Sequence, residues 1–303
     1  MRRRWDEGKG GRVGPRQRAT HHIAIVTRAT LCGIGAIALW ALLATGAKLL
    51  GRLPPLQVAA LSFVFAALIT LAWVLARGRA HALRQPAKAW ALGLFGLAGY
   101  HAVYFAAFAL APAVEVNLVV YLWPLLIVLL SAPLLGTRLT WRHLLGGLLG
   151  FAGCVLAVGG AARFDAAHAL GYALAFIAAL TWGLYSVLSR RLAAVPTDAV
   201  AGFCAAAACV LLALHAAFET FIPPTPSEWL LLAAMGAGPL GAGFFLWDVG
   251  MKQGDVRLIG TLAYATPVLS TAALVLFGFA PFAWTIALAA LLVAGGGVLA
   301  AKA

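Results

Sequence analysis

Ten apolar runs, most of them close to twenty residues long, follow one another between residues 29 and 301. A helix needs about 20 apolar residues to cross the hydrocarbon of a bilayer. The runs cover 29–49, 56–76, 89–111, 116–136, 143–160, 167–188, 198–218, 229–250, 258–278 and 282–301. The breaks between them carry helix breakers or charge, such as Pro54-Pro55, Arg77-Gly78-Arg79, Pro112, Arg190-Arg191, Pro223-Pro224 and Pro281. The connections are short, so sequence neighbours are expected to be antiparallel neighbours in space. This pattern predicts an all-α integral membrane protein of ten transmembrane helices and leaves no room for a soluble domain.

Composition points the same way. Only 10% of the residues are charged and 63% are hydrophobic, whereas soluble domains carry about 25% charged residues. The formal charge of +13 would suggest nucleic acid in a soluble chain. Here the basic residues sit between apolar runs, so no nucleic-acid partner is expected. With the N-terminus placed in the cytoplasm, 19 of the 22 Lys and Arg residues fall on the inner side. The exceptions are Lys48, Arg52 and Arg163. This bias predicts that both termini are cytoplasmic. The four cysteines match neither a metal spacing nor a disulfide framework, and they read as small apolar core residues.

The sequence also repeats itself. At an offset of 142, Trp40 falls on Trp182, Lys48 on Arg190 and Pro54 on Pro196. At 143, Tyr121 falls on Tyr264, Pro124 on Pro267, Trp141 on Trp284 and Gly153 on Gly296. Apolar coincidences are easy in such a chain. Coincidences of Trp, Tyr and Pro are not, because those residues are scarce. Five spans per repeat is an odd number, so the second repeat enters the membrane from the opposite side. Two inverted five-helix repeats are therefore predicted, over 29–160 and 167–303, after a basic cytoplasmic tail over 1–28. Run 29–49 has the look of a signal peptide, but its match to run 167–188 marks it as a structural helix. Inverted repeats characterise secondary transporters, whose site lies near the midplane between the halves.

Candidate site residues follow from scarcity inside the spans. Tyr100, Tyr104 and Phe108 share one helix face at i, i+4, i+8. Tyr121 and Trp123 precede Pro124, Trp182 and Tyr185 are three apart, and Tyr264 precedes Pro267. A phenol in hydrocarbon needs a hydrogen-bond partner, so these rings favour the bundle interior or a wet cavity over the lipid. The same rings could also serve as helix packing. Tyr100, Tyr104, Tyr121, Trp123, Trp182, Tyr185 and Tyr264 are the expected substrate-binding set, with His101, Asn117 and Asp248 as secondary candidates. Asp248 has Lys252 four residues on, so an i,i+4 pair at a wet helix end competes with a substrate role. Pro124 and Pro267 each remove a backbone bond and are expected to kink gate helices at equivalent places. Trp5, Trp73, Trp90, Trp141, Trp229 and Trp284 lie in the tail or near span ends and read as interfacial or tail residues.

Several runs carry a resemblance: Glu115 to Pro124 with its Tyr-Leu-Trp-Pro ending, Tyr172 to Ile177, Thr181-Trp182-Gly183, and Tyr264 to Ser270 with its Thr-Pro-Val-Leu-Ser core. They resemble the drug/metabolite transporter superfamily, EamA type, and most of all its aromatic amino acid exporters, over nearly all of 29–301. The resemblance implies ten helices, both termini inside, and export of aromatic and other neutral amino acids from the cytoplasm across a bacterial inner membrane. Arg138 departs from the pattern, since many repeats of this type carry Glu there.

Other functions fit less well. No HExxH, GxSxG or Walker loop occurs, so no catalysis, cofactor or metal is expected. A small multidrug-type exchanger would carry Glu in the first span, and a sugar-phosphate carrier would carry Lys or Arg within the spans; neither is found here. A non-transporting scaffold or a channel remains the alternative. The expected partners are a small-molecule substrate, namely amino acids, and the lipid bilayer, and nothing in the sequence sets an oligomeric state. His101 and His215 lie within spans, where a histidine can carry a proton or merely pack.

Overall fold

The structure, a computed structural model, describes residues 15–158, 162–281 and 283–303, with side chains from Ala24 onward. Residues 1–14 of the expected tail, Trp5 among them, lie outside the described residues. Ten helical spans cross the fold. Spans 1 to 5 are Ala24–Leu49, Pro55–Ala76, Ala87–Leu110, Ala113–Leu135 and Trp141–Val158. Spans 6 to 10 are Ala166–Leu192, Thr197–Phe218, Pro226–Gln253, Val256–Leu276 and Trp284–Ala301. Their limits lie within a few residues of those expected from hydropathy. The exception is the start of span 1, whose helix already begins at Pro15, inside the stretch read from sequence as tail. Proline is favourable in the first helical turn, where its missing N–H is not needed.

Ten is even, so both ends of the span array lie on one face, called here the termini face. The packing repeats the sequence symmetry. Spans 5 and 10, spans 2 and 7, and spans 4 and 9 pair with their own repeat mates. Span 1 packs on span 8 and span 3 on span 6. Exchanging every span with its mate maps this set of neighbours onto itself, as a pseudo-two-fold axis in the membrane plane requires.

Glycine allows the closest of these approaches. Spans 5 and 10 touch at Gly146 and Gly296, where a Cβ built on Gly296 would lie 2.5 Å from the carbonyl oxygen of Gly146. Small residues let helix backbones meet in membranes, where no hydrophobic force drives them together. Gly296→Val is therefore expected to force spans 5 and 10 apart at a cost of about 1–3 kcal/mol. A fall in the thermal midpoint in detergent would show it; an unchanged midpoint would mean the two spans slide apart freely.

Polar links differ between the two faces. On the termini face, Arg190 at the end of span 6 donates to the carbonyls of Met251 and Gly254 at the end of span 8 (3.3 and 2.6 Å). Arg191 donates to Leu134 O at the end of span 4 (2.7 Å), and Arg257 of span 9 to Arg138 O (2.8 Å). These arginines satisfy helix-end carbonyls that would otherwise lack donors. On the opposite face, Arg52 pairs with Glu228 (2.6 Å), and Gln57 exchanges two bonds with the backbone of Ile222. His168 bonds Leu110 O, and Glu115 accepts from Arg163 N. Among the described residues, no hydrogen bond on this face crosses from spans 3, 4 and 6 to spans 1, 8 and 9. One end of the bundle is stapled across its centre, and the other end is not.

Candidate functional site

Five spans lose regular α-helix near mid-membrane. In span 4 the helix stops at Val120 and restarts at Trp123; in span 9 it stops at Leu262 and restarts at Ala265. Pro124 and Pro267 have no N–H to donate to the carbonyls of Val120 and Ala263. The turns tighten instead, with Leu122 N bonding Val119 O and Thr266 N bonding Ala263 O. Both prolines therefore sit at breaks in the helical ladder.

Spans 3 and 8 carry π-helical turns at Phe95–Gly99 and Gly236–Ala242, which coincide at the repeat offset. Proline explains the second, because Pro239 cannot donate. Packing explains the first, because a Cβ at Gly96 would lie 2.2 Å from the Tyr185 ring. Such turns recur at functional sites. Span 1 breaks after Trp40, while its mate span 6 stays helical from Ala169 to Ser189.

These interruptions surround four tryptophans. Trp40, Trp123, Trp182 and Trp247 lie with every pair of ring centroids between 4.9 and 6.4 Å. Trp40 and Trp182 are repeat mates and meet edge to face at 5.5 Å. Trp40 Nε1 donates to Pro239 O (3.0 Å), the carbonyl of the π-turn in span 8, and Trp247 Nε1 donates to Ser186 Oγ (3.1 Å). Among the described residues, Trp123 and Trp182 have no acceptor for their indole N–H. Phe244 stacks on Phe63 at 5.7 Å and closes one side of the cluster.

Away from the termini face, Tyr100 and Tyr104 stack at 5.5 Å, Tyr104 meets Phe108 at 4.7 Å, and Tyr100 lies 5.4 Å from Trp182. His101 Nδ1 donates to Leu97 O (2.7 Å), and the ring sits edge-on to Phe63 and Tyr100. Tyr100, His101, Tyr104 and Tyr121 are half-buried, as is the neighbouring Asn117. These half-buried side chains of spans 3 and 4 form a patch, called here the vestibule, on the far side of the tryptophans from the termini face. Towards the termini face the tryptophans give way to Tyr185, 5.2 Å from Trp182 and 3% exposed.

The structure thus brings together Tyr100, Tyr104, Trp123, Trp182 and Tyr185, with Tyr121, His101 and Asn117 at the vestibule wall. Tyr264 stands apart. It is fully buried with Cys154, Val268, Ala289 and Val293, against Phe151 and over Gly150. Gly150 supplies room that a side chain would fill, so the ring turns toward spans 5 and 10. Tyr121 touches the edge of that cluster. Asp248 does form the i,i+4 pair with Lys252, at 2.8 Å. The expected wet helix end is corrected: the side chains are 3% and 6% exposed. The loop between spans 6 and 7 and the first residue of span 7 cover the pair, with Thr197 donating to Asp248 and Lys252 donating to Val195 O.

Two members of the centre, Trp40 and Trp247, escape a search for aromatic runs. Trp40 could have been found, since it is the mate of Trp182. Trp247 could have been found too, since it adjoins Asp248 and follows Phe244-Phe245. Among the tryptophans assigned to span ends, Trp73, Trp141, Trp229 and Trp284 are exposed, while Trp90 packs on Phe203 at 5.3 Å.

The profile of the EamA-like transporter family matches residues 27–159 and again 169–301. The chain belongs to that family. Among its relatives is the aromatic amino acid exporter YddG of Ancylobacter novellus, 48% identical over 276 residues that span 90% of this chain and 96% of the relative. The exporter of the same name from Escherichia coli is 30% identical over 62% of this chain and 66% of its own length. A crystal structure of a protein 47% identical superposes with a TM-score of 0.88, covering 91% of this chain and 98% of its own. The doubled family match falls on the two halves related by the pseudo-two-fold axis. The ten spans and two inverted repeats are those of an EamA-like transporter.

Proposed function

We propose that the chain is an inner-membrane exporter of amino acids, aromatic and other neutral ones, working by alternating access. The observation that carries this reading is the uncharged aromatic centre, with two indole N–H groups left unpaired beneath a tyrosine-lined vestibule. A ring-bearing side chain stacks on such a surface, and N–H and phenol groups meet a carboxylate without a fixed charge. The names of the relatives support the substrate class. In this reading the two halves, 29–160 and 167–303, rock against each other, with the breaks at Pro124 and Pro267 as hinges of the gate spans. The termini face is the cytoplasmic one, on the strength of its basic loops, and the vestibule opens outward.

Two experiments test the reading. Proteoliposomes holding the full chain should show saturable phenylalanine flux that tryptophan and tyrosine compete away; a linear, uncompeted flux would mark a channel or a scaffold. For orientation, a reporter fused after Ala303 should be active only when it requires the cytoplasm. Activity confined to a periplasmic reporter would invert the assignment.

A further inference from the structure

Among the described residues, Asp248 and Lys252 are the one pair of carboxylate and ammonium with both side chains buried. Burying two ions costs several kcal/mol each before their attraction is counted. The pair sits directly below Trp247, on the side of the aromatic centre that faces the termini. Lys252 Nζ lies 2.8 Å from Asp248 Oδ2 and 2.8 Å from Val195 O. Thr197 Oγ1 donates to the same Oδ2 at 2.6 Å. Beside the pair is a cavity of about 20 Å³ lined by Tyr185, Ser189, Phe203, Asp248 and Lys252, room for about one water. Val195 lies in the loop between spans 6 and 7 and Thr197 is the first residue of span 7, so movement of this segment frees both ions at once.

We propose that Asp248 and Lys252 form an ion-exchange subsite for the two charged ends of a zwitterionic amino acid, between the termini face and the aromatic centre. This rests on the reading that the substrate is an amino acid. The centre itself offers rings and N–H groups but no charge. A zwitterion leaving water must keep both of its charges compensated. The buried pair supplies the complementary set: ammonium of Lys252 for the substrate carboxylate, carboxylate of Asp248 for the substrate ammonium. Exchange of partners keeps all four charges paired at every stage, and the net charge of the site does not change. When the substrate moves on to the tryptophans, Asp248 and Lys252 re-pair and the segment closes over them. A single positive or negative organic ion cannot exchange in this way, because it strands one protein charge.

The test is a sided measurement on the full chain in proteoliposomes of known orientation. The double substitution Asp248→Asn, Lys252→Met removes both charges and leaves neither ion stranded. The KM for phenylalanine offered at the termini face should rise by about tenfold or more, as for loss of charge-assisted contacts, while the KM at the opposite face stays within about twofold. Equal changes at the two faces, or no change at either, would overturn the subsite and make the pair a structural staple. If the double variant fails to insert, Lys252→Arg serves instead. It keeps the charge but presents a planar fork to the carboxylate, and should shift only the termini-face KM; an equal shift at both faces, or none, overturns the proposal. A parent protein with no saturable phenylalanine flux from either face would sink the amino acid reading itself, whereas a saturable parent with unmoved KM values sinks the subsite alone.

Discussion

Trp182→Ala is expected to reduce amino acid efflux by about a hundredfold, the equivalent of losing about 3 kcal/mol of ring contact. Trp182 holds the centre together. Its ring lies within 6.4 Å of the rings of Trp40, Tyr100, Trp123, Tyr185, Phe244 and Trp247. It also carries one of the two unpaired indole N–H groups. Alanine removes the stacking surface, the donor and the wedge that separates the vestibule from the termini face. Trp182→Phe separates these contributions. It keeps a ring and loses the N–H, and is expected to cost about tenfold. Efflux of labelled phenylalanine from cells, normalised to membrane levels of each variant, gives the comparison. If both variants export like the parent, the tryptophan cluster is packing and the substrate passes elsewhere.

The second large effect is expected at the prolines. Pro124→Ala and Pro267→Ala return an N–H to each broken ladder, where it can bond the carbonyl of Val120 or Ala263. Both prolines sit in the first turn of a restarted helix, where proline is tolerated, so the thermal midpoint of each variant should change little. Transport should fall, by about tenfold in the double variant, because a continuous helix resists bending at the hinge. Spans 4 and 9 pack tightly: a Cβ at Gly260 would lie 3.3 Å from the Pro124 carbonyl oxygen. The two hinges therefore share a contact surface, and their effects should not simply add. Full transport in both single variants and in the double variant would remove the prolines from the gating mechanism.

Much of this architecture was written in the sequence, for identifiable reasons. Span limits were legible because lipid demands long apolar runs, and charge and proline punctuate them. The repeat was legible through Trp, Tyr and Pro, which mutation rarely creates in register by chance. Trp123 and Trp182 were legible as members of the centre for the same reason. The π-turns were not. The turn at Phe95–Gly99 depends on the Tyr185 ring, supplied by a helix some ninety residues away in sequence, and no local pattern records that. Tyr264 lies away from the tryptophans because repeat equivalence fixes where a backbone lies, whereas the direction of a side chain depends on which neighbour leaves room. At Tyr264 that neighbour is Gly150. The burial of Asp248 and Lys252 was hidden too, since it depends on the segment carrying Val195 and Thr197.

The staples present at one face and missing from the other bear on energetics. Two identical inverted halves would make the inward-open and outward-open forms related by a two-fold rotation and equal in free energy, each half occupied. This chain has broken that degeneracy. Span 1 is interrupted where span 6 is whole, and Arg190 grips the end of span 8 while its mate Lys48 is exposed. Each unmatched hydrogen bond contributes about 1 kcal/mol, and a few of them skew a two-state population by orders of magnitude. The empty protein then rests in one form, and turnover is governed by how much of that skew the cargo can undo. Sequence drift between the two halves thus becomes an adjustable clock, setting the waiting time of the unloaded carrier without altering a single residue of the site.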